Sequence, residues 1–142
     1  VPVRRSSLAQ DVTNEARRMV GQAARIVERT AASNPQTPRG NKPTAGPHIY
    51  QSFEIGRTGV RVAGTKVTVQ AFNTAPHARY VDEGTPAHLI VPRSARVLRF
   101  EADGGVVFAR RVNHPGTSPT GWFEKVLRAE WEPTLRSVAR LR

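Results

Sequence analysis

The hydrophobic pattern of this chain changes period twice, and a proline-rich break marks the first change. Leu8, Val12, Ala16, Met19, Ala23 and Val27 recur at spacings of three and four, which lays one apolar stripe along a helix. From residue 60 onward the apolar residues alternate instead, as on half-buried strands. Phe123, Leu127, Trp131, Leu135 and Val138 then restore the helical spacing. Between the first two regimes lies 33–47, SNPQTPRGNKPTAGP, with four prolines, two glycines and no large apolar side chain. Such a stretch forms neither helix, central strand nor core, and reads as an extended loop or arm. Helix, strands, helix: the order predicts an α+β domain.

Local signals place the elements. Ser7 followed by Gln10 has capping-box spacing, with Asp11 expected in the first turn, where the macrodipole favours an anion; the first helix is expected over about 7–31. Val60 and Val62, a Gly64-Thr65 turn, then Val67, Val69 and Ala71 predict a hairpin. Ala75–Val81 reads as a short helical or turn-like piece ending at Glu83-Gly84-Thr85. Asp103-Gly104 signals a type I′ turn and a second hairpin, with Phe100 opposite Val107, Leu98 opposite Ala109, and Arg99 and Arg110 on the other face. Pro133 is expected to kink or split the last helix, having no N–H to give residue 129. The expectation is one domain, 1–142: an antiparallel sheet of about four strands in two hairpins, packed by an N-terminal helix and a kinked C-terminal helix.

Composition narrows the chemistry. With 22 Lys and Arg against 11 Asp and Glu the formal charge is +11, and Lys42, Lys66 and Lys125 are the only lysines. Arginine's planar fork suits phosphate and carboxylate better than a lysine point charge, and a pI near 11.6 favours work beside nucleic acid or an acidic partner. The absence of cysteine excludes disulfides, thiolate zinc sites and thiol nucleophiles. No apolar run is long enough for a membrane span, and the first residues lack the apolar region of a secretory signal. His48, His77, His88 and His114 show no ligand-like spacing, so neither metal nor cofactor is expected. Gly104-Gly105 sits in a hairpin, not at a helix start, so it is no phosphate loop. No nucleophile has an activating neighbour, and no catalytic residue is assigned.

Two segments then stand out: Ala78-Arg79-Tyr80-Val81-Asp82-Glu83-Gly84-Thr85, and Arg110-Arg111-Val112-Asn113-His114-Pro115-Gly116-Thr117. Joined by His88-Leu89-Ile90-Val91-Pro92, a Leu98-x-Phe100 strand and the Trp122-Phe123 helix opening, this series resembles the neck and tail-completion, or head–tail joining, proteins of long-tailed phages over about residues 46–128.

The resemblance implies a structural virion protein without enzymatic activity. It would form a homo-oligomeric ring, hexameric in expectation, between the head's connector or stopper proteins and the tail tube protein. Double-stranded DNA would pass through it without sequence specificity, and assembly would take place in the host cytoplasm. The subunit-interface candidates are Tyr80, Glu83, Gly84, Thr85, His114, Pro115, Gly116, Thr117 and Trp131. The candidates for a DNA-lining lumen are Arg99, Arg110 and Arg111. Glycine permits tight turns and close backbone approach at 84 and 116, Pro115 stiffens its turn, and Glu83 is placed to pair with an arginine of its own or a neighbouring subunit; both loops also suit a purely intramolecular use. Two rival readings follow from the residues alone: a free basic DNA- or RNA-binding protein, and a small hydrolase or nuclease using His114 with Glu83.

Overall fold

The computed structural model describes residues 5–40, 46–102 and 104–141. It is a mixed structure of helices and small antiparallel sheets, in the order α1 (Arg5–Ser33), β1 (Phe53–Ala63), β2 (Lys66–Asn73), α2 (Ala78–Glu83), β3 (His88–Ile90), β4 (Leu98–Ala102), β5 (Gly105–Ala109), β6 (Val112–His114) and α3 (Trp122–Arg140), with a 3-10 turn at Ile49–Gln51 before β1. The described residues gather into two compact units, one within Val1–Ala78 and Gly121–Arg142, the other Arg79–Thr120.

In the first unit, α1 packs against α3 and against the β1–β2 hairpin. Ala24 and Val27 of α1 meet Ile55 of β1, with Val69, Ala71, Leu127 and Trp131 closing over them. Small residues on α1 let the strand approach closely: a Cβ on Gly56 would lie 3.2 Å from the Ala24 methyl. Phe53, Trp122 and Phe123 form an aromatic cluster, Trp122 meeting Phe53 edge-on at 5.9 Å between ring centroids. Each fully buried valine, such as Val27 or Val126, contributes roughly 1.5–3 kcal/mol of transfer free energy.

The first hairpin turns at Gly64-Thr65 and pairs Val62 with Val67 and Val60 with Val69, as the alternation predicts. β1 begins earlier than the alternation does, because the register shifts between Ile55 and Val60 where Gly56 and Gly59 adopt positive φ. At this irregularity the Ile55 N–H also donates to the Glu28 carboxylate of α1 at 2.9 Å. The second hairpin has the expected register, Leu98 with Ala109 and Phe100 with Val107; its turn residue Asp103 lies outside the described residues.

Three expectations need correction. Among the described residues the single sheet is instead three two-stranded sheets: β3 pairs β6, giving six strands rather than about four. Helix α1 starts at Arg5, so Ser7 lies inside it rather than at its N-cap, and Asp11 is beyond the first turn. Its buried face is Val20, Ala23, Ala24, Val27 and Ala31, whereas Leu8 and Val12 are 60% and 65% exposed. The cause is length, since α1 has 29 residues and α3 has 19, making α1 about 15 Å longer at ~1.5 Å per residue. Of the two outcomes expected at Pro133, a kink or a split, the split does not occur, since α3 runs through it.

The proline-rich segment is described only at its ends, and 41–45 lie outside the described residues. Its start folds back on α1: Thr37 is buried and its hydroxyl donates to the Ala31 carbonyl at 2.6 Å. Arg39 donates to the Ala32 carbonyl and lies 5.4 Å over the Tyr50 ring. Those contacts satisfy the last carbonyls of the helix.

Candidate functional site

The two glycine–threonine corners are brought face to face. Helix α2 ends at Glu83, Gly84 turns the chain with φ +75°, and Thr85 follows; β6 ends at His114, and Gly116 turns with φ +84° before Thr117. Thr85 N–H donates to the Thr117 carbonyl and Thr117 N–H to the Thr85 carbonyl, both at 3.0 Å, with the hydroxyls 3.2 Å apart. Each glycine lies under the other corner. A Cβ on Gly84 would run into the Thr117 carbonyl and sit 2.8 Å from Pro119 N, and one on Gly116 would run into the Thr85 carbonyl. Close approach and positive φ together demand glycine at both places. Thr120 completes the clasp by donating its N–H to Asp82 and its hydroxyl to Val81 at the end of α2.

The β3–β6 pairing sets His88 opposite His114, with the rings stacked at 4.9 Å. Gly116 N–H donates to His114 Nδ1 at 3.0 Å, so that nitrogen carries no proton and the neutral ring is protonated at Nε2. His88 Nδ1 lies 2.9 Å from the Pro86 carbonyl and is therefore the donor. The backbone thus makes Nδ1 an acceptor on His114 and a donor on His88. Glu83 receives the Arg79 guanidinium at 2.7 Å; this hydrogen bond, and then the attraction of the charges, raises the Arg79 pKa above its ordinary value. Glu83 and His114 thus each have another partner within the same unit. Tyr80 is 61% exposed on α2, and Pro115 is exposed beside the clasp.

The arginines are differently placed. Arg99 lies on β4 opposite Phe108, while Arg110 and Arg111 occupy the short connection from β5 to β6; all three are exposed. Among the described residues no carboxylate pairs with them, whereas Arg18, Arg57, Arg79, Arg128 and Arg136 each have a glutamate. The face of the β4–β5 hairpin that Arg99 occupies also carries Val106 and Phe108, the latter 63% exposed. Within 79–120 no described residue is fully buried, and Leu89 and Val91 are as exposed as Val106 or more so.

Trp131 belongs to the other unit. It lines a groove of about 780 Å³ between β2 and α3, half-buried against the core. The described residues contain no cluster of three or more histidine, aspartate or glutamate side chains able to hold a metal, and no helix long and apolar enough to cross a membrane. Comparison with family models, curated proteins and solved structures finds no match.

Sequence reasoning found the corner residues as two separate loops and missed that they grip one another. It missed the histidine stack as well, because the two rings come from strands of three residues each, too short to show a period. The groove was signalled only by Trp131 and its spacing to Leu127 and Leu135.

Proposed function

We propose that this chain is a structural virion protein of a tailed phage, forming a homo-oligomeric ring at the head–tail junction that joins the head connector to the tail tube. The motif series described above supplies the biological setting. The observation that carries the assembly reading is the state of the 79–120 unit. Beside α2 it consists of two-stranded sheets, with no fully buried side chain among its described residues and with exposed Val106, Phe108, Leu89 and Val91. An isolated two-stranded sheet is marginal in water, an open strand edge is a template for another chain, and contiguous exposed apolar surface marks an interaction site. A second copy of the chain provides what such a unit lacks. The unpaired Arg99, Arg110 and Arg111 suit a surface along which DNA phosphates pass.

Mass photometry and negative-stain microscopy of the purified protein, alone and with head or tail partners, test this. A closed ring, hexameric in expectation, supports the proposal. A compact monomer at every concentration and with every partner removes it.

The same unpaired arginines favour a second reading, a free DNA- or RNA-binding protein. That reading requires tight binding with a steep salt slope, whereas a ring through which DNA passes binds free DNA weakly and without register. A salt titration of duplex binding separates them.

A further inference from the structure

We propose that the outer edge of β5 in one copy adds to the outer edge of β2 in a second copy, placing Phe108 and Val106 in the groove between β2 and α3. This rests on the reading that copies of this chain assemble, and it names the surfaces that meet.

The groove has the form of a missing strand. On β2 it is lined by the consecutive residues Lys66, Val67, Thr68 and Val69. Successive side chains on a strand point to opposite faces, so a cavity touching all four runs along the strand's edge. That edge has no partner among the described residues, since β2 pairs only with β1. The opposite wall is α3, where Leu127, Trp131 and Leu135 line it at spacings that stack them on one helix face. An added strand would therefore gain backbone hydrogen bonds from β2 while laying alternate side chains on an apolar helix surface, the β-augmentation mode of recognition.

β5 supplies what that geometry asks for. Among the described residues it pairs only with β4, which leaves its outer edge likewise without a strand partner, and at ~3.4 Å per residue its five residues span ~17 Å, long enough for the run on β2. Val106 and Phe108 share one face and are 45% and 63% exposed. The opposite face of the hairpin, with Leu98, Phe100 and Ala109, is better covered. Charges match as well. The groove is bordered by Lys66, Arg128 and Glu132, and the hairpin face carries Arg99 and Glu101 beside Val106 and Phe108, so both sides carry charges of both signs. Arg128 and Glu132 are held only in exposed pairs with Glu124 and Arg136, which are weak and easily exchanged. The product is a continuous four-stranded sheet, β1–β2 of one copy followed by β5–β4 of the next. Because the two surfaces differ, the contact is heterologous and propagates around a ring.

The absence of native cysteine makes disulfide trapping clean. In the added-strand geometry Val107 points to the same side as Thr68, away from the helices. Thr68→Cys protein is mixed with Val107→Cys protein and oxidised, with Lys66→Cys and Gln70→Cys covering the neighbouring registers, and oligomers of the wild type and of Phe108→Glu are sized by mass photometry. Phe108 is exposed, so its replacement leaves the core intact. The expected result is a disulfide between the two different proteins in one of the three registers, and at least a tenfold rise in the concentration needed for assembly of Phe108→Glu. Rings that form without any of these cross-links, that join Thr68→Cys only to itself, or that assemble unchanged with Phe108→Glu overturn this contact and leave the ring proposal standing. A doubly substituted Thr68→Cys, Val107→Cys chain that closes only within one molecule also overturns it. Absence of any oligomer overturns both.

Discussion

Thr85 and Thr117 exchange backbone hydrogen bonds at 3.0 Å in both directions, and the glycine preceding each lies against the backbone of the other corner. The relationship is reciprocal, so either glycine is as necessary as its counterpart.

Gly84→Ala and Gly116→Ala are each expected to cost ~2–4 kcal/mol, from the left-handed backbone plus the clash of the new methyl with main-chain atoms that have no side-chain freedom to yield. Native-state hydrogen exchange reads this directly. The Thr85 and Thr117 amides should lose protection together in either variant. Retained protection at one threonine in both variants would show that the corners do not depend on each other.

His114 acts on its own turn through one acceptor atom. Asparagine presents an oxygen to the N–H two residues on in the same way, so His114→Asn should hold the Gly116 amide nearly as well as wild type. His114→Ala should lose ~1 kcal/mol. Urea denaturation of the three proteins, followed by a probe within 79–120, makes the comparison. Equal stability of the Asn and Ala variants would mean that the bond contributes nothing.

Trp122 is 4% exposed, yet its Nε1–H has no hydrogen-bond partner among the described residues. Trp122→Phe removes that unsatisfied donor while keeping a ring against Phe53, and its cost should stay below ~1.5 kcal/mol. Trp122→Ala should cost ~3–5 kcal/mol. Thermal unfolding of both variants reads the difference, and a loss in the phenylalanine variant as large as in the alanine one would show that the indole N–H is needed.

Replacing Arg99, Arg110 and Arg111 together with glutamine should reduce the slope of log K against log salt for duplex binding by about 2 to 3, close to one per phosphate contact removed. The loss should be the same for any duplex sequence. An unchanged slope would place DNA elsewhere on the molecule.

Much of the fold was legible because its signals are local. Alternating valines around Gly64-Thr65, and Phe100 and Val107 around the second turn, carry the register of each hairpin within a few residues. The apolar stripe of α1 told which face is buried but not how far its cover reaches, so Leu8 and Val12 were overread while Ala23 and Val27 were not. The third sheet and the clasp lay beyond reach for one reason: Thr85 meets Thr117 across 32 positions of chain, and neither a three-residue strand nor a glycine announces its distant partner. Glu83 was expected to pair with an arginine of its own or a neighbouring subunit, and within the chain it meets Arg79, one helical turn before it.

The clasp also sets how this polypeptide can vary. Residues 86–116 leave and re-enter at adjacent points, stapled at the base by two threonines, so the excursion can be lengthened, trimmed or exchanged without moving the ends to which it is tied. A lineage built on such a clasp can retune what the 86–116 segment touches while its two ends stay tied to each other.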